Sequence, residues 1–147
     1  MAPRFLDTNV LLRYFTRDDE AKARQSLALL LRVERGDERV STSPLVIFET
    51  IFTLQRFYQV PREQIRDLVW SVIALRGVQL PDKAIYEHAF MLYVNRNIAF
   101  ADAFNAAYMQ ARGLREIYSW DTDFDTIPGL ARVEPHEMPQ PGTNAGS

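Results

Sequence analysis

Apolar residues recur at spacings of three and four along most of this chain, and short apolar runs interrupt that spacing. The three-and-four spacing predicts amphipathic helices, whereas short runs that end in turn-forming residues predict strands. The predicted strands are 5–6, the residues around Val40, 78–80, 116–119 and 131–134. The predicted helices are 10–15, the stretch from Asp18 toward Gly36, 45–58, 63–75, the stretch that Pro81 and Asp82 open, and 100–112. Helices therefore alternate with strands throughout.

Capping residues mark where these helices begin and end. Ser43 followed by Pro44 is a strong helix start, because the hydroxyl caps free N–H groups and proline fits the first turn. Gly36 and Gly113 stand where glycine commonly ends a helix. The alternation of strands and helices predicts an α/β fold with a parallel sheet covered on both faces. Ligands of such folds bind beyond the carboxyl ends of the strands.

Four acidic residues stand at separate boundaries of this pattern, each beside apolar residues: Asp7, Glu49, Asp102 and Asp121. Asp7 and Asp121 directly follow predicted strands, so we expect both at the same edge of the sheet. An unpaired carboxylate is strongly destabilising in an apolar interior, so this placement predicts a compensating cation. A ligand set made of oxygen atoms favours Mg²⁺ or Mn²⁺.

Asp7 has a simpler interpretation as the N-cap of the helix that follows it. However, Asp7, Thr8 and Asn9 supply three capping side chains where one is sufficient, which leaves Asp7 for another task. Thr8 is then a candidate to position a water molecule beside the cation. Both interpretations of Asp7 stay open on the sequence alone.

Glu49 lies on a predicted helix beside Leu45, Val46, Phe52 and Thr53, at spacings of three and four. This mainly apolar face indicates burial, because a solvated acid normally has polar neighbours on a helix. The alternative is that Glu49 lies on the rim of the apolar stripe.

Asp102 lies in the first turn of its helix, where the helix dipole stabilises an acid without any metal. Asn105, one turn later, is placed to orient the Asp102 carboxylate or to contact a substrate. Asp121 has the alternative role of capping the turn after Ser119. Asp123 suits a solvated turn, or it shares the role of Asp121 in the site.

The 147 residues, 47% of them hydrophobic, suit one globular domain over 1–134 and a flexible tail over 135–147. The chain has no cysteine, which excludes disulfides, zinc-thiolate sites and thiol catalysis. No segment approaches the ~20 apolar residues of a membrane span, and the first residues do not form a signal-peptide core. The expectation is a cytoplasmic protein that does not bind membranes.

The formal net charge is −2 and the isoelectric point is near 5.7. These values exclude a protein that holds nucleic acid by overall positive charge. A polyanion must therefore be held locally. Arg13 and Arg17 are candidates to hold phosphates, but the sequence does not place them beside the acids.

Four motifs, taken together, resemble the PIN domain family and in particular its VapC-type toxin ribonucleases. The motifs are Asp7-Thr8-Asn9, Glu49 in the helix after Ser43-Pro44, Phe100-Ala101-Asp102-Ala103, and Ser119-Trp120-Asp121-Thr122-Asp123-Phe124 before Pro128-Gly129. The resemblance extends from residue 4 to residue 134 in matching order and spacing.

The resemblance implies a three-layer α/β/α fold around a central parallel sheet, with catalytic acids that hold Mg²⁺ or Mn²⁺. By position, Asp7, Glu49, Asp102 and Asp121 match the four acids of the family, and Thr8 and Ser119 match its common hydroxyl positions. The implied activity is hydrolysis of RNA, often structured RNA such as transfer RNA, to 3′-hydroxyl and 5′-phosphate ends. A cognate antitoxin restrains such toxins. The candidates for an interface with that partner or in a homodimer are Phe48, Phe52, Phe57, Tyr58 and Trp70, and the alternative for most of them is ordinary core packing.

Other functions stay open, and one is a DNA-directed or general RNA-processing nuclease on the same fold. A phosphatase with a nucleophilic aspartate also has a strand that ends at an acid such as Asp7. It needs a second aspartate two residues later, where this chain has Asn9. A non-catalytic PIN-like interaction module would instead bind a basic partner segment through the acidic pocket. An RNA cleavage assay separates that module from a nuclease.

Overall fold

A computed structural model describes residues 2–137 of the chain. This part contains six α-helices: α1 Thr8–Thr16, α2 Glu20–Arg35, α3 Pro44–Arg56, α4 Arg62–Ile73, α5 Lys83–Arg96 and α6 Phe100–Ala111. It contains five short strands: β1 Arg4–Phe5, β2 Val40–Ser41, β3 Val78–Gln79, β4 Glu116–Tyr118 and β5 Ala131–Val133. A short 3₁₀ helix, Thr122–Thr126, lies where only a loop was predicted. Every predicted helix and strand is present, with ends that differ by a few residues.

All the strand pairs are parallel, as the alternation of helices and strands predicted. β1, β2 and β3 form one sheet in that order, with Arg4 opposite Val40 and Val40 opposite Val78. β4 and β5 form a second parallel pair. The three-layer α/β/α class is confirmed, although the strands are so short that their hydrogen bonds form two separate sheets. Asp7 follows the first sheet and Asp121 follows a strand of the second.

Local hydrogen bonds explain why the sequence located the helix ends well. The Ser43 hydroxyl accepts a hydrogen bond from the backbone N–H of Val46 at 3.3 Å. The Asp19 carboxylate accepts one from the backbone N–H of Lys22 at 3.0 Å. Gly36 ends α2 with a φ of 84°, a left-handed conformation that glycine adopts without strain.

Helix α6 is fixed by aromatic packing on its buried side. The ring of Phe100 packs on Phe48 of α3 and Phe90 of α5, with ring centroids 5.3 and 4.9 Å apart. Ala103, three residues later, is fully buried. Asp102 lies next to this buried face and is itself partly buried. The position of Asp102 is therefore set by the core beneath it.

None of the helices in residues 2–137 is long and apolar enough to cross a membrane. The predicted tail starts at Pro135, and its residues 138–147 lie outside the described part of the chain. The domain boundary after residue 134 therefore stays a prediction.

Candidate active site

Three acidic side chains meet at one place on the surface, and we call them the acidic cluster. Asp102 comes from the first turn of α6, whereas Asp121 and Asp123 come from the segment after β4. One carboxylate oxygen of each residue lies within 4.8 Å of the other two. Within residues 2–137, no other group of three acidic or histidine side chains offers ligand atoms this close together.

Hydrogen bonds within the loop hold Asp121 and Asp123 in this arrangement. The backbone N–H of Asp121 donates to the Ser119 hydroxyl at 3.0 Å. The backbone N–H of Asp123 donates to the Asp121 carboxylate at 2.9 Å, which caps the 3₁₀ helix. The capping role predicted as an alternative for Asp121 is therefore real. It does not compete with a site role, because capping uses one of the two carboxylate oxygens.

Asp125 belongs to the same loop but lies outside the acidic cluster. Arg132 of β5 donates from its Nε to the Asp125 carboxylate at 3.1 Å. The same guanidinium donates to the backbone carbonyl of Ser119 at 3.2 Å, and so it fixes the end of β4. The protein thus compensates the charge of Asp125. Within the described residues, no salt bridge from arginine or lysine reaches the acidic cluster.

The electrostatics of the acidic cluster favour a bound cation. Partial burial raises the pKa of Asp102 above its ordinary value, and the charges of Asp121 and Asp123 raise it further. A divalent cation would reverse both effects, because it stabilises the ionised carboxylates. Carboxylate oxygens within 4.8 Å of one another would supply the oxygen ligands that Mg²⁺ prefers. The acidic cluster can therefore bind a divalent metal.

Asp7 is the N-cap residue of α1, yet its side chain makes no capping hydrogen bond. The interpretation of Asp7 as a side-chain cap is therefore wrong. Asp7 is exposed and lies outside the acidic cluster. Its carboxylate has no structural role within the described residues.

Glu49 is held by Thr8 across two helices. The hydroxyl of the buried Thr8 donates to the Glu49 carboxylate at 3.0 Å, which links the start of α1 to α3. Glu49 itself is exposed, and Leu45 and Phe52 beside it are 75% and 63% exposed. The prediction that Glu49 is buried on an apolar face is wrong, because this side of α3 is not covered by the described part of the chain.

The premise that all four predicted acids lie in the interior is also wrong. Asp7, Glu49 and Asp121 are exposed, and only Asp102 is partly buried. The acids instead lie where a ligand from solvent reaches them. The case for a cation therefore rests on the repulsion within the acidic cluster and on the partial burial of Asp102.

The remaining predicted residues are placed differently. Asn105 is exposed one turn after Asp102, so its predicted orienting role stays a prediction. Asn9 lines a pocket between α1 and α2. Asp123, which the sequence left between two interpretations, belongs to the acidic cluster. The available signal was its spacing of two from Asp121, which is typical of a turn closed by an aspartate side chain.

The chain is similar to a protein family and to two known proteins. The PIN domain family matches residues 4–130. A VapC ribonuclease of Aquifex aeolicus is 25% identical over 134 residues, which covers 91% of this chain and 98% of that relative. The crystal structure of Mycobacterium tuberculosis VapC20, a toxin that cleaves the sarcin-ricin loop, is 23% identical with a TM-score of 0.34. That match covers 89% of this chain and 98% of the other.

Proposed function

Because the chain belongs to the PIN domain family, we propose that it is a metal-dependent endoribonuclease and the toxin of a toxin-antitoxin pair. The Aquifex aeolicus relative carries the name VapC ribonuclease, which supports RNA as the substrate here. The alternative, a non-catalytic module that binds a basic partner, gains no support from that name.

The acidic cluster of Asp102, Asp121 and Asp123 is the observation that carries this proposal. Partial burial and the charges of Asp121 and Asp123 raise the pKa of Asp102, so the acidic cluster favours a concentrated positive charge. We assign Mg²⁺ or Mn²⁺, because the side chains available are carboxylates and the chain contains no cysteine. Asp7 and Glu49 complete the assigned set of catalytic, metal-holding acids.

Each residue of the site has a separate task in this proposal. The bound cation supplies an activated water and offsets the charge that develops on the scissile phosphate. Asp102, Asp121 and Asp123 hold the ion. Thr8 keeps the Glu49 carboxylate in one orientation through the 3.0 Å hydrogen bond. Asp7 is available for the ion or its water, because it is not used as a helix cap.

The substrate that we assign is a structured RNA such as transfer RNA. A net charge of −2 does not favour indiscriminate binding of long polyanions, so recognition depends on shape and on local contacts. A toxin that cleaves such RNA acts in the cytoplasm.

A groove beside Glu49 supports a protein partner, which we assign as the antitoxin. The groove has a volume of about 550 Å³ and is lined in part by the exposed apolar side chains of Leu45 and Phe52. Exposed apolar surface of this kind is typical of protein interfaces. Phe57 is 77% exposed one residue after α3 and supports a homodimer. Light scattering of the isolated chain tests the dimer.

The proposal is tested by incubating purified protein with a mixed RNA pool that contains transfer RNAs. The reactions contain Mn²⁺ or Mg²⁺, or a chelator, and they are run beside Asp102→Asn. Cleavage that needs both the metal and Asp102 supports the nuclease. Equal cleavage by Asp102→Asn overturns the site assignment. Absence of both cleavage and metal binding overturns the nuclease and favours the interaction module.

A further inference from the structure

A second feature of the surface is a basic pocket between α1 and α2. It has a volume of about 510 Å³, and its polar lining comes mainly from Asn9, Arg13, Lys22, Gln25 and Arg32. We call it the basic pocket. Lys22 is one of only two lysines in a chain whose net charge is negative. Positive charge is therefore concentrated here against the overall balance.

The helical period explains how the basic pocket forms. Lys22, Gln25 and Arg32 lie at spacings of three and seven along α2, so they share one face of that helix. Asn9 and Arg13 are four residues apart on α1 and face them. Because α1 and α2 pack on each other, the two polar stripes border one cavity. The cations are held on helices and not on flexible loops.

Two acids near the basic pocket offset part of its positive charge. Glu38 accepts from the Nε of Arg32 at 3.1 Å, which leaves the Nη groups of that guanidinium for another acceptor. The Asp19 carboxylate accepts from the backbone N–H of Lys22 at 3.0 Å. This bond and the nearby charges of Lys22 and Arg13 lower the pKa of Asp19, so Asp19 offsets part of their charge. Among residues 2–137, no acidic side chain lines the pocket. An anion with several acceptor oxygens matches these donors.

The basic pocket adjoins the segment that carries the first predicted acid of the site. Asn9 lines the pocket and stands two residues after Asp7. Thr8, between them, is bonded to Glu49. The basic pocket therefore lies beside the start of α1, the segment that contributes Asp7 and Thr8.

We propose that the basic pocket binds a phosphodiester group of the RNA substrate, away from the bond that is cleaved. This inference rests on the proposed function, and it names Arg13 and Lys22 as substrate-positioning residues. Their contribution belongs to binding of the strand, because neither residue is part of the acidic cluster. Such a subsite explains how a protein of net charge −2 holds a polyanion locally.

The test compares two variants that each remove two positive charges. Arg13→Ala/Lys22→Ala removes two of the three cations that line the basic pocket. Arg24→Ala/Arg35→Ala is the matched control, because both arginines are exposed on α2 and do not line the pocket. Steady-state cleavage of one RNA is measured over a range of salt concentrations. Circular dichroism confirms that both variants fold.

The expected result is a rise in KM of roughly tenfold for the pocket variant, with kcat unchanged at saturating RNA. The slope of log(kcat/KM) against log[salt] should become shallower by about 0.7 for each RNA phosphate that the variant no longer neutralises. The control variant should keep the KM and the slope of the parent. Equal effects in the two variants, or no effect in the pocket variant, would overturn the proposal.

A binding measurement separates failure of this inference from failure of the proposed function. If the parent protein does not cleave RNA, the same variants are compared by fluorescence anisotropy with a labelled unstructured RNA. Weaker binding by the pocket variant alone supports the subsite without any reaction. Equal binding by the two variants overturns it. Inorganic phosphate is then added as a competitor of the labelled RNA. If the basic pocket is a site for free phosphate, phosphate alone saturates it and removes the difference in RNA binding between the two variants, which overturns the proposal.

Discussion

Two acidic regions of this protein handle negative charge in opposite ways. Glu49 is exposed and accepts a hydrogen bond from Thr8 at 3.0 Å. Asp102 is partly buried and faces two further carboxylates, which raise its pKa. At Glu49 the protein itself supplies a hydrogen-bond donor, Thr8, to the carboxylate. At Asp102 it gathers acids that repel one another.

This difference separates an acid that the protein itself orients from acids whose mutual repulsion is left for a ligand to offset. The contact between Thr8 and Glu49 joins α1 to α3 and is complete without any ligand. A divalent cation would offset the repulsion within the acidic cluster. Charge removal, metal ions and pH should therefore each act more strongly on the acidic cluster than on the pair of Thr8 and Glu49.

The largest expected effect is loss of cleavage in Asp102→Asn. The amide keeps the shape of the side chain but loses the charge that holds the cation. Mutation of a residue that only hydrogen-bonds to a metal ligand lowers metal affinity or activity by about 10–100-fold. Loss of a ligand itself should therefore lower the cleavage rate by at least about 100-fold. The rate is measured with one RNA substrate at fixed Mn²⁺ concentration.

Asp125→Asn is the control for Asp102→Asn. It makes the same chemical change in the loop after β4, on an acid that pairs with Arg132 outside the acidic cluster. Its cleavage rate should stay within a factor of a few of the parent. A comparable loss of cleavage in both variants would show that cleavage depends on the total negative charge of this part of the protein and not on the acidic cluster.

The next effect in size is stabilisation by metal. At a Mn²⁺ concentration about 100 times the Kd, binding to the folded state alone should add about 2.7 kcal/mol to the free energy of unfolding. The rise in Tm on addition of Mn²⁺ measures this effect. Asp102→Asn should lose most of the rise and Asp125→Asn should keep it. A full rise in Asp102→Asn would place the bound ion elsewhere.

A smaller effect is expected from Thr8→Val, which removes the hydrogen bond to Glu49 and keeps the shape. The free energy of unfolding should fall by about 1 kcal/mol, as for a typical hydrogen bond. Cleavage should fall by about tenfold, the lower end for residues that orient a ligand of a metal. Urea titration and the cleavage assay measure the two quantities.

Thr50→Val is the matched control for Thr8→Val. Thr50 is buried in α3, and its hydroxyl donates to the backbone carbonyl of Val46 and not to an acid. This variant should lose stability without losing cleavage. Glu49→Gln makes the complementary change, because the amide oxygen still accepts from Thr8 while the charge is gone. Full cleavage by Glu49→Gln would remove Glu49 from the assigned site.

The smallest expected effect is the pH dependence of the metal-free protein. The pKa of Asp102 is raised in the folded state above its ordinary value of 3.8. The folded chain therefore holds this proton more tightly than the unfolded chain does. The resulting stabilisation is complete below the ordinary pKa and is lost as the pH rises through the folded pKa.

Urea titrations in a chelator, from acidic to neutral pH, measure that dependence. Asp102→Asn should be more stable than the parent at neutral pH, because it lacks the repulsive charge. The advantage should shrink as the pH falls through the folded pKa. A difference that is independent of pH would show that repulsion does not act on Asp102.

Local features of the fold were predictable because local contacts decide them. Ser43 caps α3 and Gly36 ends α2 through bonds that span a few residues. The exposure of Glu49 was not predictable in the same way. The spacing of Leu45 and Phe52 shows that they share a face, but it does not show whether any other element covers that face.

The sequence by itself determined the order of helices and strands, their parallel pairing and the acids available for a site. Each follows from capping, periodicity or residue chemistry within short stretches of chain. Only the tertiary structure decided that Asp102, Asp121 and Asp123 form a group, that Thr8 holds Glu49, and that cations of α1 and α2 line one pocket. Those groupings join residues from separate elements. Packing of apolar faces sets where such elements meet, and the polar side chains take the positions that this packing leaves them.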